Sequence, residues 1–219
     1  MQSVIEIIAK ERGASQAEML QLHAMEVSEL ESKGKNIAQT SGGPGRGIYQ
    51  YEKTSDGGSG AARDALVRYK RFYSDKAYGG VIPERFQQEL AGIDHENPDF
   101  TKLSPELQTE IFYADKEQKG GFPLDKLGTP EFTLKDAWLK SHWAGADADM
   151  PSKANYYDKT IQNFMMQENE RRDEMIYQNA KKQASKMVNW TIQNTMEDLG
   201  QVFIEHPDKL INKYGEEEQ

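Results

Sequence analysis

Cysteine is missing from all 219 residues, which excludes disulfides, thiolate metal sites and a cysteine nucleophile. The compartment stays open on that evidence, because exported proteins need not contain cysteine. No run approaches the roughly 18 continuous apolar residues of a membrane helix, so no membrane span is expected. The amino terminus, Met1-Gln2-Ser3-Val4-Ile5-Glu6, lacks the basic and then apolar stretches of a secretory signal. Positive charge is scarce as well. The 27 Lys and Arg face 36 Asp and Glu, for a net charge of -9, without the basic footprint of a general nucleic-acid binder. The four histidines, His23, His95, His142 and His206, share no ligand spacing, so no metal is expected. Extended alternating runs are also lacking, and so are internal repeats; the sole low-complexity run is the acidic Glu216-Glu217-Glu218.

What is present reads as helix. The patterning predicts helices over about 3–12, 16–33, 60–76, 83–91, 105–119, 134–143 and from 154 onward, with one short hairpin near 48–53. Ser15-Gln16-Ala17-Glu18 and Thr133-Leu134-Lys135-Asp136 have the form of capping boxes, and Pro105 after Ser104 suits a first helical turn. The expected fold class is mainly α: a helical domain with at most a short β-hairpin and a C-terminal helical extension.

The densest chemistry lies in Glu31-Ser32-Lys33-Gly34-Lys35-Asn36-Ile37-Ala38-Gln39-Thr40-Ser41-Gly42-Gly43-Pro44-Gly45-Arg46-Gly47-Ile48-Tyr49-Gln50. Leu20, Ala24, Val27 and Glu31 follow one another at spacings of four, three and four, one helical face that is apolar until its last member. A carboxyl group at the end of a buried stripe is partly desolvated, which favours its protonated form, as a general acid requires. Gly34 then lets the chain leave the helix. The glycine-dense loop is not a phosphate cradle. A dinucleotide fingerprint needs a preceding strand and a following helix, and a P-loop needs a terminal Gly-Lys-Ser or Gly-Lys-Thr. Nor does it read as a flexible linker, because Ile48-Tyr49-Gln50-Tyr51 follows at once as a short extended segment. Close backbone approach to a bulky sugar is the expected use of these glycines.

This stretch resembles the active-site signature of lytic transglycosylases of the lysozyme superfamily: a helix ending in Glu-Ser, a linker with Ala and Ser or Thr, then Gly-x-x-Gly-apolar-x-Gln. Here Glu31, Ser32, Ala38, Thr40, Ser41, Gly47, Ile48 and Gln50 have counterparts, with a loop one residue longer than the commonest form. A second part of the resemblance runs from Ser104-Pro105-Glu106-Leu107-Gln108 through Gly120-Gly121 and Ser141-His142-Trp143-Ala144-Gly145 to Asn155-Tyr156-Tyr157. In that order His142 stands where the family has Tyr, and Trp143 where it has Asn, which puts the proton chemistry at that position in question.

The resemblance implies an organisation of three parts: an N-terminal helical segment over 1–14, a lysozyme-like transglycosylase domain over 15–165, and a helical extension over 166–219. It implies that Glu31 is the catalytic acid and that Ser32, Thr40, Ser41, Gln50, His142, Trp143 and Tyr156 contact substrate, Gln50 through the acetamido or hydroxyl groups. The substrate is then peptidoglycan glycan strands, cut between N-acetylmuramic acid and N-acetylglucosamine with a 1,6-anhydro product and no metal or organic cofactor. Glycan contacts are expected to come from hydrogen bonds and aromatic stacking. The hydrolytic alternative, a goose-type lysozyme or endolysin, would need Glu52 or Asp56 to position water. Missing an export signal, the chain is expected to act as a phage virion protein that reaches the host periplasm or cell wall. The alternatives are an endolysin held in the host cytoplasm before release, and a structural virion component that grips glycan without cutting it.

Two stretches lie outside the motif. Ala62, Leu66, Tyr69 and Tyr73 form the expected core face of a helix whose basic residues are expected to meet solvent, or else an anionic glycan strand. Beyond Ile161 the chain is rich in Met, and Val188, Ile192, Met196, Leu199 and Phe203 make an apolar stripe. That stripe suits either packing on the catalytic domain or docking to other virion proteins.

Overall fold

The computed structural model describes residues 2–55, 57–75, 80–142 and 150–205. Trp143, Asp56, His206 and the acidic run Glu216-Glu217-Glu218 lie outside them, as do Ala144 and Gly145 of the second motif and the side chains of Leu199 and Phe203. The protein is mainly helical, with one small two-stranded antiparallel sheet and a long C-terminal helix. It divides into two compact units, Met1–Phe164 and Met165–Gln219.

The first unit is built on α1 (Val4–Arg12), α2 (Ala14–Ser32), α3 (Ala61–Ser74), α4 (Glu84–Ala91) and α5 (Pro105–Gln118). Helix α5 carries the core: α3 packs along it, and α1 packs against both α2 and α5. Its Leu107, Ile111, Phe112 and Ala114 are fully buried, as are Ala62, Leu66 and Tyr69 of α3 and Leu20 and Val27 of α2. The expected core face of α3 is therefore the observed one. Helix starts follow local chemistry in three cases. Ser3 and Glu6 form a reciprocal capping box on α1, Thr133 and Asp136 form another on α6 (Leu134–Ala137), and Ser104 caps α5 with Pro105 in its first turn.

The box expected at Ser15-Gln16-Ala17-Glu18 does not form. Helix α2 starts earlier, at Ala14 after Gly13 (φ 101°), with no side-chain cap, because α1 ends at the same glycine and leaves no room for a separate N-cap residue. At its other end α2 stops at Lys33 (φ 57°), one residue before Gly34 (φ 67°), and the two backbone N–H groups bond back to Glu29 and Ser28. The hairpin also differs in register. Strand β1 (Gly45–Arg46) pairs with β2 (Tyr51–Glu52), so Ile48 to Gln50 form the connecting turn rather than a strand. Helix α6 runs into a π-helical turn, Trp138–His142, and α7 spans Met150–Glu205.

The two units differ in burial. Within the first, Tyr157 and Thr160 of α7 are buried. Within the second, Met175, Ile176, Tyr177, Met187, Val188, Trp190, Ile192 and Met196 are all exposed. No helix among the described residues is long and apolar enough to cross a membrane.

Candidate active site

Glu31 is the last residue but one of α2, in its final turn, where the buried stripe of Leu20, Ala24 and Val27 ends. Its side chain is 15% exposed. The indole Nε1–H of the buried Trp138 donates to Glu31 Oε1 at 2.7 Å. An indole nitrogen only donates, so this contact fixes the carboxyl rotamer while leaving its remaining lone pairs to other groups. Glu31 opens into a cleft of about 470 Å³, which is also lined by Gln39, Gln50, Tyr51, Glu52, Ser59 and Ala61 from the loop, hairpin and start of α3. Asp64 and Arg68 of α3, Asp115, Lys116 and Lys119 at the end of α5, and Ser141 and His142 of the π turn complete it.

The glycine loop is held from within the protein. Gln108, buried on α5, accepts from Ile48 N–H at 2.8 Å and donates to the Leu103 carbonyl and to Asn36 Oδ1. Gly47 (φ 81°) lies so close that a Cβ there would collide with the Gln108 amide oxygen and meet Phe100 Cβ at 3.0 Å. Packing against Gln108 and Phe100 thus requires a glycine at this position. Gln50 closes the turn in the left-handed region (φ 50°), a conformation that costs a non-glycine residue energy and gathers at functional sites. Its Nε2 donates to the carbonyls of Ile37 and Gly47 at 3.0 and 2.6 Å. Both amide hydrogens are therefore engaged by the loop, and only the Gln50 carbonyl oxygen is left for a ligand.

Several residues expected to touch substrate make contacts with the scaffold or lie away from the cleft lining. Ser32 is buried, and its hydroxyl lies 2.8 Å from the Ile48 carbonyl and 3.1 Å from that of Ser28, which ties α2 to the turn. Thr40 and Ser41 are exposed on a 3-10 turn and do not line the cleft. Tyr156 donates its hydroxyl to the Leu30 carbonyl at 2.9 Å and its ring lies 6.2 Å from that of Trp138, so it braces the end of α2. Trp143 lies outside the described residues.

His142 does line the cleft. Its Nε2 is 3.0 Å from the Tyr49 carbonyl and 3.9 Å from Glu31 Oε1. A carbonyl only accepts, so Nε2 carries the hydrogen. Burial, reinforced by the charges of Lys116 and Lys119, holds the imidazole pKa well below its ordinary value, and the ring is neutral at neutral pH with Nδ1 bare. The pair with Glu31 is therefore not an ion pair. His142 is a neutral donor in contact with the loop, not a second acid.

The α5 side of the cleft has a charge cluster that no motif announced. Asp115, almost fully buried, accepts from Arg68 Nη1 at 2.7 Å and from the Tyr51 hydroxyl at 3.0 Å. Lys116 Nζ lies 3.6 Å from Asp115 and over the rings of Phe112 and Phe122 at 5.0 and 5.6 Å. Burial lowers the Lys116 pKa to about 8. Arg68 thus meets the cleft and a carboxylate rather than open solvent. The sequence reading also missed Trp138. Its signal was a lone tryptophan one turn before the His142-Trp143 departure, which periodicity assigns to core.

Two other acids are better hidden than their positions suggest. Glu26, also on α2, is bound by the Tyr157 hydroxyl, and burial raises its pKa. Glu110 accepts from Val4 N–H and is raised by burial too. Neither lines the cleft. Buried His23 packs against Phe112 and Phe122 with both ring nitrogens unbonded, and burial keeps it neutral. Among the described residues no group of three His, Cys, Asp or Glu side chains could hold a metal ion. Protein-family models, curated proteins and solved structures yield no match to this chain.

Proposed function

We propose that this chain is a lytic transglycosylase that cuts peptidoglycan glycan strands between N-acetylmuramic acid and N-acetylglucosamine. The observation that carries the reading is Glu31: a largely buried carboxyl group, oriented by Trp138 at 2.7 Å, opening into a cleft whose rim holds Gln50 and His142. A general acid needs this combination of fixed rotamer, restricted water and access to a groove.

In the proposed reaction Glu31 gives its proton to the glycosidic oxygen as the bond from that oxygen to the anomeric carbon breaks. The N-acetyl oxygen of the muramyl sugar stabilises the anomeric carbon. Glu31, now a carboxylate, takes the proton of the sugar's 6-hydroxyl as that oxygen bonds to the anomeric carbon, which closes a 1,6-anhydro ring and restores the acid. No water is consumed. The Tyr49 carbonyl holds the His142 N–H, so the imidazole shapes the cleft beside Glu31 without supplying a proton.

The hydrolytic alternative also has a specific support, because Glu52 and Asp64 line the same cleft and a lysozyme uses a second carboxylate at roughly 5 to 9.5 Å. Glu52 accepts from Ser59 N–H at 2.8 Å, and that contact holds it to its own loop. Asp64 had no place in the sequence reading, which named Glu52 and Asp56. The setting that fits the transglycosylase reading is a phage virion protein acting on the host wall, with the exposed apolar residues of 165–197 as a surface for other virion proteins. Mass spectrometry of soluble products after incubation with purified peptidoglycan tests the activity. Muropeptides ending in 1,6-anhydro-N-acetylmuramic acid are expected; a failure to release any glycan would leave the gripping, non-cutting role.

A further inference from the structure

The second unit of the chain leaves its apolar side chains uncovered. Met165, Met166, Ile176, Tyr177, Met187 and Val188 of α7 are between 48% and 70% exposed, and every residue from Asn169 to Gln193 is exposed. A helix of a globular protein normally buries its apolar face, and a contiguous apolar surface left open marks an interaction site.

These residues form three pairs set eleven positions apart, at 165/166, 176/177 and 187/188. Eleven residues make almost three full turns, so the pairs stand one above another on one helical face. The pattern is symmetric about its middle pair. A second helix running the opposite way, centred on Ile176 and Tyr177, would set Met165 and Met166 against Val188 and Met187. The polar residues of the face obey the same symmetry. Asn169 comes opposite Ala184, and Asp173 opposite Ala180, small side chains that leave room for bridging water.

Charge decides which way the partner runs. Residues 165–176 hold four acids and two arginines, net -2, whereas 177–188 hold three lysines and no acid, net +3. Antiparallel packing lays each acidic half on a basic half. Glu168 and Lys186 lie on the same flank of the face and come opposite each other; on the other flank Lys181 falls between Glu170 and Glu174. Lys182 meets Arg171, whose charge is already held by Glu168 of its own helix at 2.8 Å. A parallel partner in register would set lysine against lysine and acid against acid, which repels.

We propose that residues 165–188 of α7 are a self-association surface occupied by a second copy of this chain, packed antiparallel about a two-fold axis at Ile176 and Tyr177. The interface goes beyond the cleavage reading and does not depend on it. Trp190, Ile192 and Met196 stay outside the paired stretch and remain exposed for other proteins.

Light scattering of the full chain should give twice its 24.9 kDa mass. The chain has no cysteine of its own, so single introduced cysteines report which residues meet. Tyr177→Cys should cross-link to its own copy under mild oxidation. Met166→Cys should not, because its counterpart lies about 30 Å away along the helix, but it should form a mixed disulfide with Met187→Cys chains. Glu168→Lys should weaken association about tenfold, since the two-fold axis repeats the lost pair with Lys186. Adding Lys186→Glu should restore it to within about threefold. A chain that stays monomeric at about 100 μM, a mass of three or more copies, or Met166→Cys cross-linking to itself as readily as Tyr177→Cys overturns the proposal. None of these readouts uses peptidoglycan, so failure of the interface and failure of the cleavage reading are distinguishable.

Discussion

The two walls of the cleft were assembled in different ways. Glu31, Gln50 and the glycine turn come from one segment of twenty residues, closed by contacts inside that segment such as Gln50 to Ile37 and Ser32 to Ile48. The opposite chemistry comes from Arg68 and Asp115, 47 positions apart, brought together because α3 packs along α5. Local backbone constraint builds the first wall; burial of two helix faces builds the second. The consequence is a division of structure, in which one wall presents the candidate acid Glu31 and the other a buried ion cluster of Arg68, Asp115 and Lys116.

The largest expected effect tests the first wall. Glu31→Gln retains the hydrogen bond from Trp138, since the amide oxygen still accepts, but cannot deliver a proton, so cleavage should fall by about 10² to 10⁴-fold with an unchanged melting temperature. Turbidity of a cell-wall suspension reads it. Activity within a few fold of the parent would move the acid role off α2 and dissolve the contrast between the walls.

Next is the support behind that wall. Trp138→Phe keeps a ring against Tyr156 and Tyr157 but removes the 2.7 Å donor to Glu31. A hydrogen bond to an ionisable group is worth about 1.5 to 3 kcal/mol, which predicts a loss of about tenfold or more in kcat with little change in KM. A loss confined to KM would make Trp138 a binding residue and not an orienting one.

The contrast also explains what could be read from the sequence. Mainly helical architecture, the cores of α2, α3 and α5, and the hinge of chain around Glu31 follow from periodicity and caps, which act over a few residues. The loop residues were legible as a group but not in their roles. Ser32 and Tyr156 have hydroxyls that suit a sugar equally well, and only the fold shows that both bond to backbone carbonyls. Gly13 served two helices at once, which no capping pattern anticipates. The charged wall was illegible because Lys116 and Asp115 are adjacent charged residues near the end of α5, where sequence alone would leave them in solvent, yet every residue from Ile111 to Lys116 is buried. Burial, not residue type, makes them unusual.

A third prediction concerns the cost of that wall. Lys116 has a folded pKa of about 8, below its unfolded value near 10.5. Between those limits the unfolded chain binds more protons, so the penalty for burying the ammonium is complete below pH 8 and is relieved as pH rises toward 10.5. Lys116→Met should therefore raise unfolding free energy by about 2 kcal/mol at pH 7, with the advantage shrinking as pH climbs above 8. Urea melts of both proteins across pH 7 to 10 measure the difference directly. A variant less stable than the parent at pH 7 would make the Asp115–Lys116 pair a stabilising element.

The smallest expected effects lie at the remaining acids, and they decide the chemistry. Glu52, held by Ser59, and the exposed Asp64 share the cleft with Glu31, while Asp56 belongs to the same loop in sequence. If Glu31 acts alone, Glu52→Gln, Asp56→Asn and Asp64→Asn should each change cleavage by about threefold or less, because none takes part in bond breaking. The products should remain 1,6-anhydro muropeptides, lighter by one water than those of a lysozyme. If water is the acceptor and one of the three holds it, that variant should lose as much as Glu31→Gln while the parent yields reducing ends. Product mass and mutant rate are independent readouts of the same question. Anhydro products together with a severe loss at Glu52 would mean that Glu52 positions the 6-hydroxyl, which would extend the proton-handling wall across the hairpin toward α3.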